Sequence, residues 1–259
     1  MAKAKRTALV TGAGQGIGLE VCRQLAAGGL DIILTSRDEK VGRAAADRLG
    51  VAYHRLDVTK PGDIAALVED LRKEGKAVDI LVNNAAVSLD GFNSEVVEKT
   101  LAANFFGALA VTEGLLSLIP DGGTIVMVSS GMAELHAYSP EIRARFADPR
   151  LTTTKLVALV NEFAAAVAAG QHTAKGWPSS AYRVSKAALV ALTRVLARDL
   201  APRRIRVNAA CPGWVHTRMG GKSAPRTVEQ GAASIVRTAL VDATTTGGFF
   251  RDGKPATWE

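Results

Sequence analysis

The sequence predicts an α/β fold built on a doubly wound parallel sheet with helices on both faces. Short apolar segments of strand length alternate with longer amphipathic segments along most of the 259 residues. This alternation is typical of repeated strand–helix–strand units, whose parallel strands are buried on both faces. No run of 18 or more apolar residues occurs, so the sequence predicts no membrane-spanning helix.

Seven segments are predicted as strands: 7–11, 31–35, 51–56, 80–82, 124–128, 205–211 and a short last strand at 247–250. Helices are predicted at 17–27, from Asp38 to 49, from Asp63 to 74, and at 94–119, 181–200 and 229–241. Asp38 and Asp63 are expected to cap their helices, because a short polar side chain can accept the first free N–H groups. Gly28 and Gly50 follow the first two helices, where glycine commonly ends a helix.

Residues 131–180 interrupt this alternation and are predicted to form a helical insertion within one domain spanning 1–259. Two helical pieces are expected, at 140–146 and 153–169. The second piece carries one apolar face, made by Leu156, Leu159, Val160, Phe163 and Val167. That face must be buried against something apolar.

Composition points to an ordinary globular protein, with 47% hydrophobic and 22% charged residues. The two cysteines, Cys22 and Cys211, cannot form a disulfide framework, which favours a reducing compartment. The basic start of the chain is followed by only three apolar residues, 8–10, too few for a signal peptide. We therefore expect a cytoplasmic protein with no membrane partner.

The net charge of +7 is compatible with nucleic-acid binding or with a phosphate-bearing small ligand. The basic residues are scattered, and the densest groups, at 3–6 and 203–206, flank predicted strands. No zinc-ligand spacing or aromatic RNA-binding motif accompanies them, and the four histidines show no metal-binding spacing. We therefore expect a small phosphate-bearing ligand, no nucleic acid and no metal.

A glycine-rich turn joins the first predicted strand to the first helix. Its residues include Gly12, Gly14, Gln15, Gly16, Ile17 and Gly18, all assigned to cofactor binding. Glycines let backbone N–H groups approach an anion, and a helix N-terminus favours negative charge. The spacing differs from G-x-G-x-x-G, and a tight connection without a ligand is the alternative. Because the turn lies at the first strand–helix junction, we interpret it as a dinucleotide site.

The end of the second strand indicates which dinucleotide binds. An acid there would repel a 2′-phosphate, whereas Ser36 followed by Arg37 offers a hydroxyl and a guanidinium. Asp38 is placed to cap the next helix instead. The sequence therefore favours NADP(H) over NAD(H).

Tyr182 and Lys186 are four residues apart and share one face of the helix at 181–200. A free phenol has a pKa of about 10, and a nearby ammonium favours its ionised form. A bound oxidised nicotinamide would act in the same direction. The pair is a candidate proton donor, although the same spacing also occurs on ordinary helix surfaces.

Several motifs occur together in order. They are Thr11-Gly12-x-x-x-Gly16-x-Gly18, Asn83-Asn84-Ala85, Asn104, Ser129-Ser130, Tyr182-x-x-x-Lys186 and Pro212-Gly213. In this combination the sequence resembles the short-chain dehydrogenase/reductase family over nearly its whole length. The stretches 34–38, 54–57, 139–141, 176–182 and 210–215 resemble the carbonyl reductase (NADPH) branch. The resemblance implies a Rossmann fold.

The resemblance also implies four catalytic residues: Asn104, Ser130, Tyr182 and Lys186. By analogy, Tyr182 protonates the carbonyl oxygen and Ser130 hydrogen-bonds it, while Ser129 faces the other way. Lys186 lowers the pKa of Tyr182 and holds the nicotinamide ribose, and Asn104 positions a water that links Lys186 to solvent.

Further cofactor contacts follow from the same resemblance. The adenine is expected near Asp57 and Val58, the cofactor backbone near Asn84 and Ala85, and the nicotinamide near Pro212, Gly213, Val215 and Thr217. Met132 and Trp214 are expected to line an apolar substrate cleft beside Ser130 and Tyr182. Packing in the core is the alternative for both, as it is for Trp177. Cys211 is either a small buried residue or an oxidisable thiol.

Two positions depart from the family pattern. Ala86 stands where the family has glycine, and Gln15 stands where the carbonyl reductase branch usually has a basic residue. Arg37 is then left to hold the 2′-phosphate, with Lys40 as a possible helper. The insertion resembles a segment that covers the family's usual subunit interface, so a monomer is expected.

The expected activity is NADPH-dependent reduction of an aldehyde, ketone or quinone, with a small-molecule carbonyl as substrate. Oxidation of a secondary alcohol in a biosynthetic route is one alternative. A non-catalytic protein that senses NADP is another.

Overall fold

The computed structural model describes residues 5–242 and 244–258. Its strands are β1 (Thr7–Val10), β2 (Asp31–Ser36), β3 (Ala52–Arg55), β4 (Ile80–Asn83), β5 (Thr124–Val128), β6 (Arg206–Cys211), β7 (Phe249–Arg251) and β8 (Lys254–Pro255). They form one sheet in the order β3-β2-β1-β4-β5-β6-β7-β8. All neighbours are parallel except β7 and β8.

The helices are α1 (Gly16–Ala27), α2 (Glu39–Leu49), α3 (Pro61–Lys73), α4 (Ser94–Leu101), α5 (Gly107–Leu115), α6 (Pro140–Ala147), α7 (Thr153–Ala168), α8 (Ala181–Asp199) and α9 (Val228–Ala239). Successive strand residues point to opposite sides of the sheet. In β1, Ala8 and Val10 join a core shared with α1, α2 and α9, whereas Leu9 joins a second core with α3, α5 and α8. The predicted α/β fold with a doubly wound sheet is therefore confirmed.

Three local features differ from the sequence-based expectation. The helix predicted at 94–119 is interrupted by a π-helical turn, Ala102–Phe106, and α5 ends at Leu115. Asp63 does not cap α3, because the helix begins two residues earlier, at Pro61. Its carboxylate instead accepts the backbone N–H of Asp57 at 2.9 Å. Strand β8 was not predicted, since two residues carry no periodic signal. By contrast, Asp38 caps α2 as expected, accepting the N–H of Val41 at 3.0 Å.

The insertion folds back onto the same chain. Helix α7 packs against α4 and α8. Four residues of its predicted apolar face, Leu156, Leu159, Val160 and Phe163, are buried, while Val167 is partly buried. Trp177 lies in this core, with its ring centroid 5.3 Å from that of Phe163. Trp177 is therefore a packing residue, and α7 finds its apolar partner within this chain.

No helix in 5–242 and 244–258 combines the length and apolar character needed to cross a membrane.

Candidate functional site

The glycine turn is shaped by backbone conformation and close packing. Gly12 and Gly16 have φ values of +62° and +59°, which favour glycine. A Cβ on Gly12 would lie 2.7 Å from Cα of Ala85, and one on Gly18 would lie 2.5 Å from Nδ2 of Asn84. The turn therefore brings the backbone closer to β4 than a side chain would allow.

Helix α1 begins inside this turn. Gln15 occupies its N-cap position in an extended conformation, is exposed and makes no side-chain cap hydrogen bond. The first N–H groups of a helix need acceptors from outside the helix, and the helix dipole favours an anion there. Positive-φ glycines and an N-terminus without a side-chain cap fit the pyrophosphate of a dinucleotide.

Thr11 and Asn84 fasten the turn to the end of β4. The hydroxyl of Thr11 accepts the N–H groups of Asn84 and Ala85, both at 3.0 Å. The side-chain amide of Asn84 donates to the carbonyls of Thr11 at 2.9 Å and Gly12 at 3.2 Å. Sequence reasoning placed Asn84 against the cofactor, whereas this amide holds the turn itself. The holding role of the Thr11 hydroxyl follows only from the fold, because its partners lie more than 70 residues away.

At the end of β2, the adenosine side of the candidate site is compact. Ser36 is buried and donates to the carbonyl of Asp38 at 2.7 Å, while Gly14 lies against Ser36. Arg37 and Lys40 are exposed. The Asp38 carboxylate between them caps α2, and the role of Arg37 at a 2′-phosphate stays a prediction.

Asp57 and Val58 lie beyond the neighbouring strand β3. Burial alone would raise the pKa of Asp57, but hydrogen bonds from Thr59 and the charges of Lys60 and Arg37 outweigh it and lower that pKa. Val58 packs against Gly107, where a Cβ would lie 2.8 Å from Cγ2 of Val58. A glycine is therefore required at the start of α5.

Tyr182 and Lys186 lie one turn apart at the start of α8. The Lys186 ammonium is 5.4 Å from the Tyr182 ring centroid and donates to the carbonyl of Val128 at 2.8 Å. Burial lowers the pKa of Lys186 from 10.5 to about 8. Burial also raises the pKa of Tyr182 to about 12, with Ser130 acting in the opposite direction. Desolvation therefore dominates the pKa of Tyr182 among the protein's own groups, and the lowering of that pKa by Lys186 stays a prediction.

The two serines after β5 point to different surroundings. Ser129 is buried and donates to the backbone carbonyl of Lys186 at 2.9 Å. Ser130 is half-buried and accepts the N–H of Met132 at 3.1 Å. Its side chain also hydrogen-bonds the Tyr182 phenol, which lowers the pKa of that phenol. Ser129 thus fixes α8 to the end of β5, and Ser130 contacts the candidate proton donor Tyr182.

Asn104 lies in the π-helical turn and is buried. Its amide donates to the carbonyl of Val87 at 2.9 Å and to the hydroxyl of Ser185 at 3.1 Å, and its oxygen accepts the N–H of Val87 at 2.7 Å. These bonds tie the segment after β4 to α8. The water that the sequence analysis assigns to Asn104 stays a prediction.

The two side chains expected to line a substrate cleft, Met132 and Trp214, are both exposed. Met132 is 41% exposed and Trp214 is 57% exposed, so neither belongs to the core. The Trp214 indole donates to the carbonyl of Gly220 at 2.8 Å, and Thr217 accepts the N–H of Gly220 at 3.0 Å. The loop thus stays folded on itself while presenting Trp214 outward.

Pro212, Gly213 and Val215 begin the same loop, and Pro212 and Val215 are buried. Gly213 has a φ of +80°, and any side chain there would overlap with that of Arg226. Nearby, Cys211 is buried and accepts a hydrogen bond from Arg251 at 3.4 Å. This supports Cys211 as a small packed residue.

Sequence reasoning missed an ion pair that closes this loop. Arg226 donates to Asp252 through both terminal nitrogens, at 3.0 and 2.6 Å. Its backbone also pairs with Trp214 and His216 at 3.2 and 2.8 Å. The two partners are 26 residues apart and share no local motif, so only the fold reveals the pair.

No cluster of three or more histidine, cysteine or acidic residues in 5–242 and 244–258 has the arrangement needed to hold a metal ion.

Comparison with known proteins decides the family. A model of short chain dehydrogenases matches residues 6–140, and one described as enoyl-(acyl carrier protein) reductase matches residues 149–247. The chain belongs to the short-chain dehydrogenase/reductase family. It is accordingly an oxidoreductase.

Similar members of the family cover the chain from end to end. Carbonyl reductase (NADPH) 3 of Rattus norvegicus is 41% identical over 100% of both chains. Carbonyl reductase (NADPH) 1 of Sus scrofa is 39% identical over 100% of this chain and 96% of its own length. The structure of salutaridine reductase from Papaver somniferum is 33% identical, with a TM-score of 0.88 over 95% of this chain and 99% of that one.

Proposed function

We propose that this chain reduces small-molecule aldehydes, ketones or quinones with NADPH, and that Tyr182 donates the proton. The observation that carries the proposal is the grouping of Tyr182, Lys186 and Ser130 where β5 ends. Strands β1, β4 and β5 are parallel neighbours, so the glycine turn after β1 lies at the same edge of the sheet.

NADP(H) is the cofactor, in agreement with the relatives named as NADPH-dependent. The turn from Gly12 to Gly18 would hold the pyrophosphate, while Ser36 and Arg37 would meet the 2′-phosphate. Hydride supply is the chemistry that NADPH brings when bound.

Tyr182 would transfer its phenolic proton to the carbonyl oxygen of the substrate. A pKa near 12 keeps the phenol protonated at neutral pH, which is the form that reduction requires. Ser130 would hydrogen-bond the same oxygen. Lys186 would hold the nicotinamide ribose, and Asn104 would keep α8 and the segment after β4 in register.

The protonation state of Tyr182 also separates the alternatives. Oxidation of a secondary alcohol needs the phenolate as a base, which burial disfavours in this protein. A non-catalytic NADP-sensing protein would not need Tyr182, Lys186 and Ser130 to be held together. The similarity to relatives named carbonyl reductases favours reduction over the two alternatives.

We also propose that the chain works as a single domain and as a cytoplasmic monomer. One continuous sheet supports the first point, and the burial of the α7 face against α4 and α8 supports the monomer. Light scattering at micromolar concentration should give a mass near 27.1 kDa. A stable dimer or tetramer would contradict the proposal.

Replacing Tyr182 by phenylalanine tests the proton donor. Turnover of NADPH with a panel of carbonyl compounds, followed by loss of cofactor absorbance, should fall by at least about a hundredfold. NADPH affinity, measured by fluorescence, should change little. Similar turnover in the variant would refute the role of Tyr182.

Tyr138→Phe is a matched control. Tyr138 is buried in the insertion, and its hydroxyl has no hydrogen-bond partner among the described residues. Removing that hydroxyl should leave turnover unchanged. If both variants lost activity equally, the effect would reflect packing rather than proton transfer.

A further inference from the structure

Arg183 lies next to the candidate proton donor. It is the third residue of α8, directly after Tyr182, and its N–H donates to the hydroxyl of Ser180 at 3.3 Å. Its guanidinium donates to the carbonyl of Met132 at 3.3 Å and approaches the Met132 sulfur at 3.6 Å. The N–H of Met132 donates to the Ser130 hydroxyl, so the backbone of Met132 links the Arg183 guanidinium to Ser130.

The charge of Arg183 is not neutralised by a carboxylate. Both of its described partners belong to Met132, and neither is charged. Within the described residues, no acidic group lies within ion-pair distance of Arg183. Glu134, the acidic residue near Met132, lies 3.4 Å from His136. Its charge also helps to raise the pKa of Arg251.

A guanidinium carries five N–H donors in a planar fork. The Met132 contacts anchor it while leaving donors free, and Arg183 is only half-buried, so a ligand can reach it. The side chain of Met132 beside it is 41% exposed and offers an apolar surface. An apolar wall next to a free cation suits a molecule that carries both an apolar body and an anionic group.

We propose that Arg183 binds an anionic substituent of the carbonyl substrate, so that the enzyme prefers keto acids or aldehyde acids to their neutral analogues. This inference rests on the proposed carbonyl reduction. It assigns to Arg183 a role in selecting the substrate, separate from the proton transfer at Tyr182.

The test compares para-carboxybenzaldehyde with the methyl ester of the same acid at neutral pH. These substrates share the reacting aldehyde and the ring, and differ in charge. The unmodified protein should reduce the acid with a kcat/KM roughly two- to tenfold higher than the ester, the range expected for a partly exposed charged hydrogen bond. Added salt should shrink that ratio.

Three variants sharpen the comparison. In Arg183→Gln the acid-to-ester ratio should fall to about one, while Arg183→Lys should keep part of it because the charge remains. Arg143→Gln, which removes an exposed arginine of α6, should leave the ratio and both rate constants unchanged. The ratio cancels any general change in the cleft wall that a substitution causes.

The outcomes separate this inference from the proposed function. Equal use of acid and ester by the unmodified protein, or an unchanged ratio in Arg183→Gln, would overturn the role of Arg183 and leave carbonyl reduction standing. If neither aldehyde is reduced, carbonyl reduction of this class fails. Calorimetry of para-(hydroxymethyl)benzoate with the NADP-loaded protein then decides the matter for Arg183. Binding that weakens in Arg183→Gln supports the site, and absent or unchanged binding overturns it.

Discussion

The glycine turn after β1 and the loop from 212 to 226 meet near Gly16, where a Cβ would lie 3.8 Å from Thr217. The turn is held by its positive-φ glycines and by bonds that the Thr11 hydroxyl and the Asn84 side-chain amide make with backbone groups. The loop is closed by the Arg226–Asp252 ion pair and by backbone bonds from Arg226 to Trp214 and His216, and it exposes Trp214 and Met219.

This difference between the turn and the loop fits the two roles proposed for them, cofactor binding and substrate binding. A dinucleotide is the same in every catalytic cycle, so a turn fixed by backbone geometry suits it. Substrates vary between related enzymes, and a loop held by a few side chains can change without disturbing the sheet. We therefore expect substitutions in the turn to act mainly on cofactor affinity and those in the loop mainly on substrate use.

The largest effect is expected for Gly12→Ala. The substitution adds a methyl group at a φ of +62° and 2.7 Å from Cα of Ala85. A left-handed conformation alone costs an alanine about 1–2 kcal/mol. A turn that relaxes to escape this cost must recover its shape on binding, so NADPH affinity should weaken roughly five- to thirtyfold. Fluorescence titration with NADPH measures the change.

Gly62→Ala provides the control for that experiment. Gly62 lies in the first turn of α3, and a Cβ there would have no neighbour within 4 Å. NADPH affinity should be unchanged, and the helix should gain slightly in stability. An unaltered affinity in Gly12→Ala would mean that the turn is more adaptable than its geometry indicates.

A smaller effect is expected for Asp252→Asn, which weakens the ion pair that closes the loop. The KM for a carbonyl substrate should rise a few-fold, because the exposed Trp214 wall is less well positioned, while kcat should change less. Acrylamide quenching should detect the loosened loop. Trp177 and Trp258 are buried, so the quencher reports mainly on Trp214.

Glu162→Gln is the matched control, because Arg145 contacts Glu162 through the same two-bond geometry, at 3.0 and 2.6 Å. That pair joins α6 to α7, in the insertion. Its loss should alter neither KM nor quenching. An equal response of the two variants would show that the loop is no more sensitive than the insertion.

The comparison also explains what the sequence could reveal. The glycine turn, the Tyr182–Lys186 spacing and the alternation of strands with helices are local or periodic, so they are visible in the chain itself. The Arg226–Asp252 pair joins distant segments and leaves no pattern. The pKa shift of Tyr182 depends on burial, which a spacing of four residues does not show.

The insertion also shows what a local sequence pattern cannot reveal. The apolar stripe from Leu156 to Val167 predicted that α7 is buried, but the stripe did not identify its partner. Only the fold shows that the apolar face of α7 packs against α4 and α8. Likewise, the exposure of Met132 and Trp214 distinguishes them from Trp177, although all three are large apolar residues close to the same motifs.

The smallest effect concerns the pKa of Lys186, which is lowered because the amine is buried. With a pKa of about 8 against 10.5 ordinarily, the folded protein holds this amine neutral between those values while the unfolded chain binds a proton. The unfolded state then binds more protons, so this group makes stability rise with pH across that window and fall as pH drops toward 8.

Lys186→Met removes this contribution and keeps the length of the side chain. From pH 8 to 9.5 the free energy of unfolding should rise more in the unmodified protein than in the variant, by on the order of 1 kcal/mol. Other titrating groups, including Cys22, whose pKa burial raises to about 12, are common to both proteins and cancel. Denaturant titrations at the two pH values measure the difference. Parallel curves would mean that water reaches Lys186, and the candidate centre would then be open to solvent like the loop from 212 to 226.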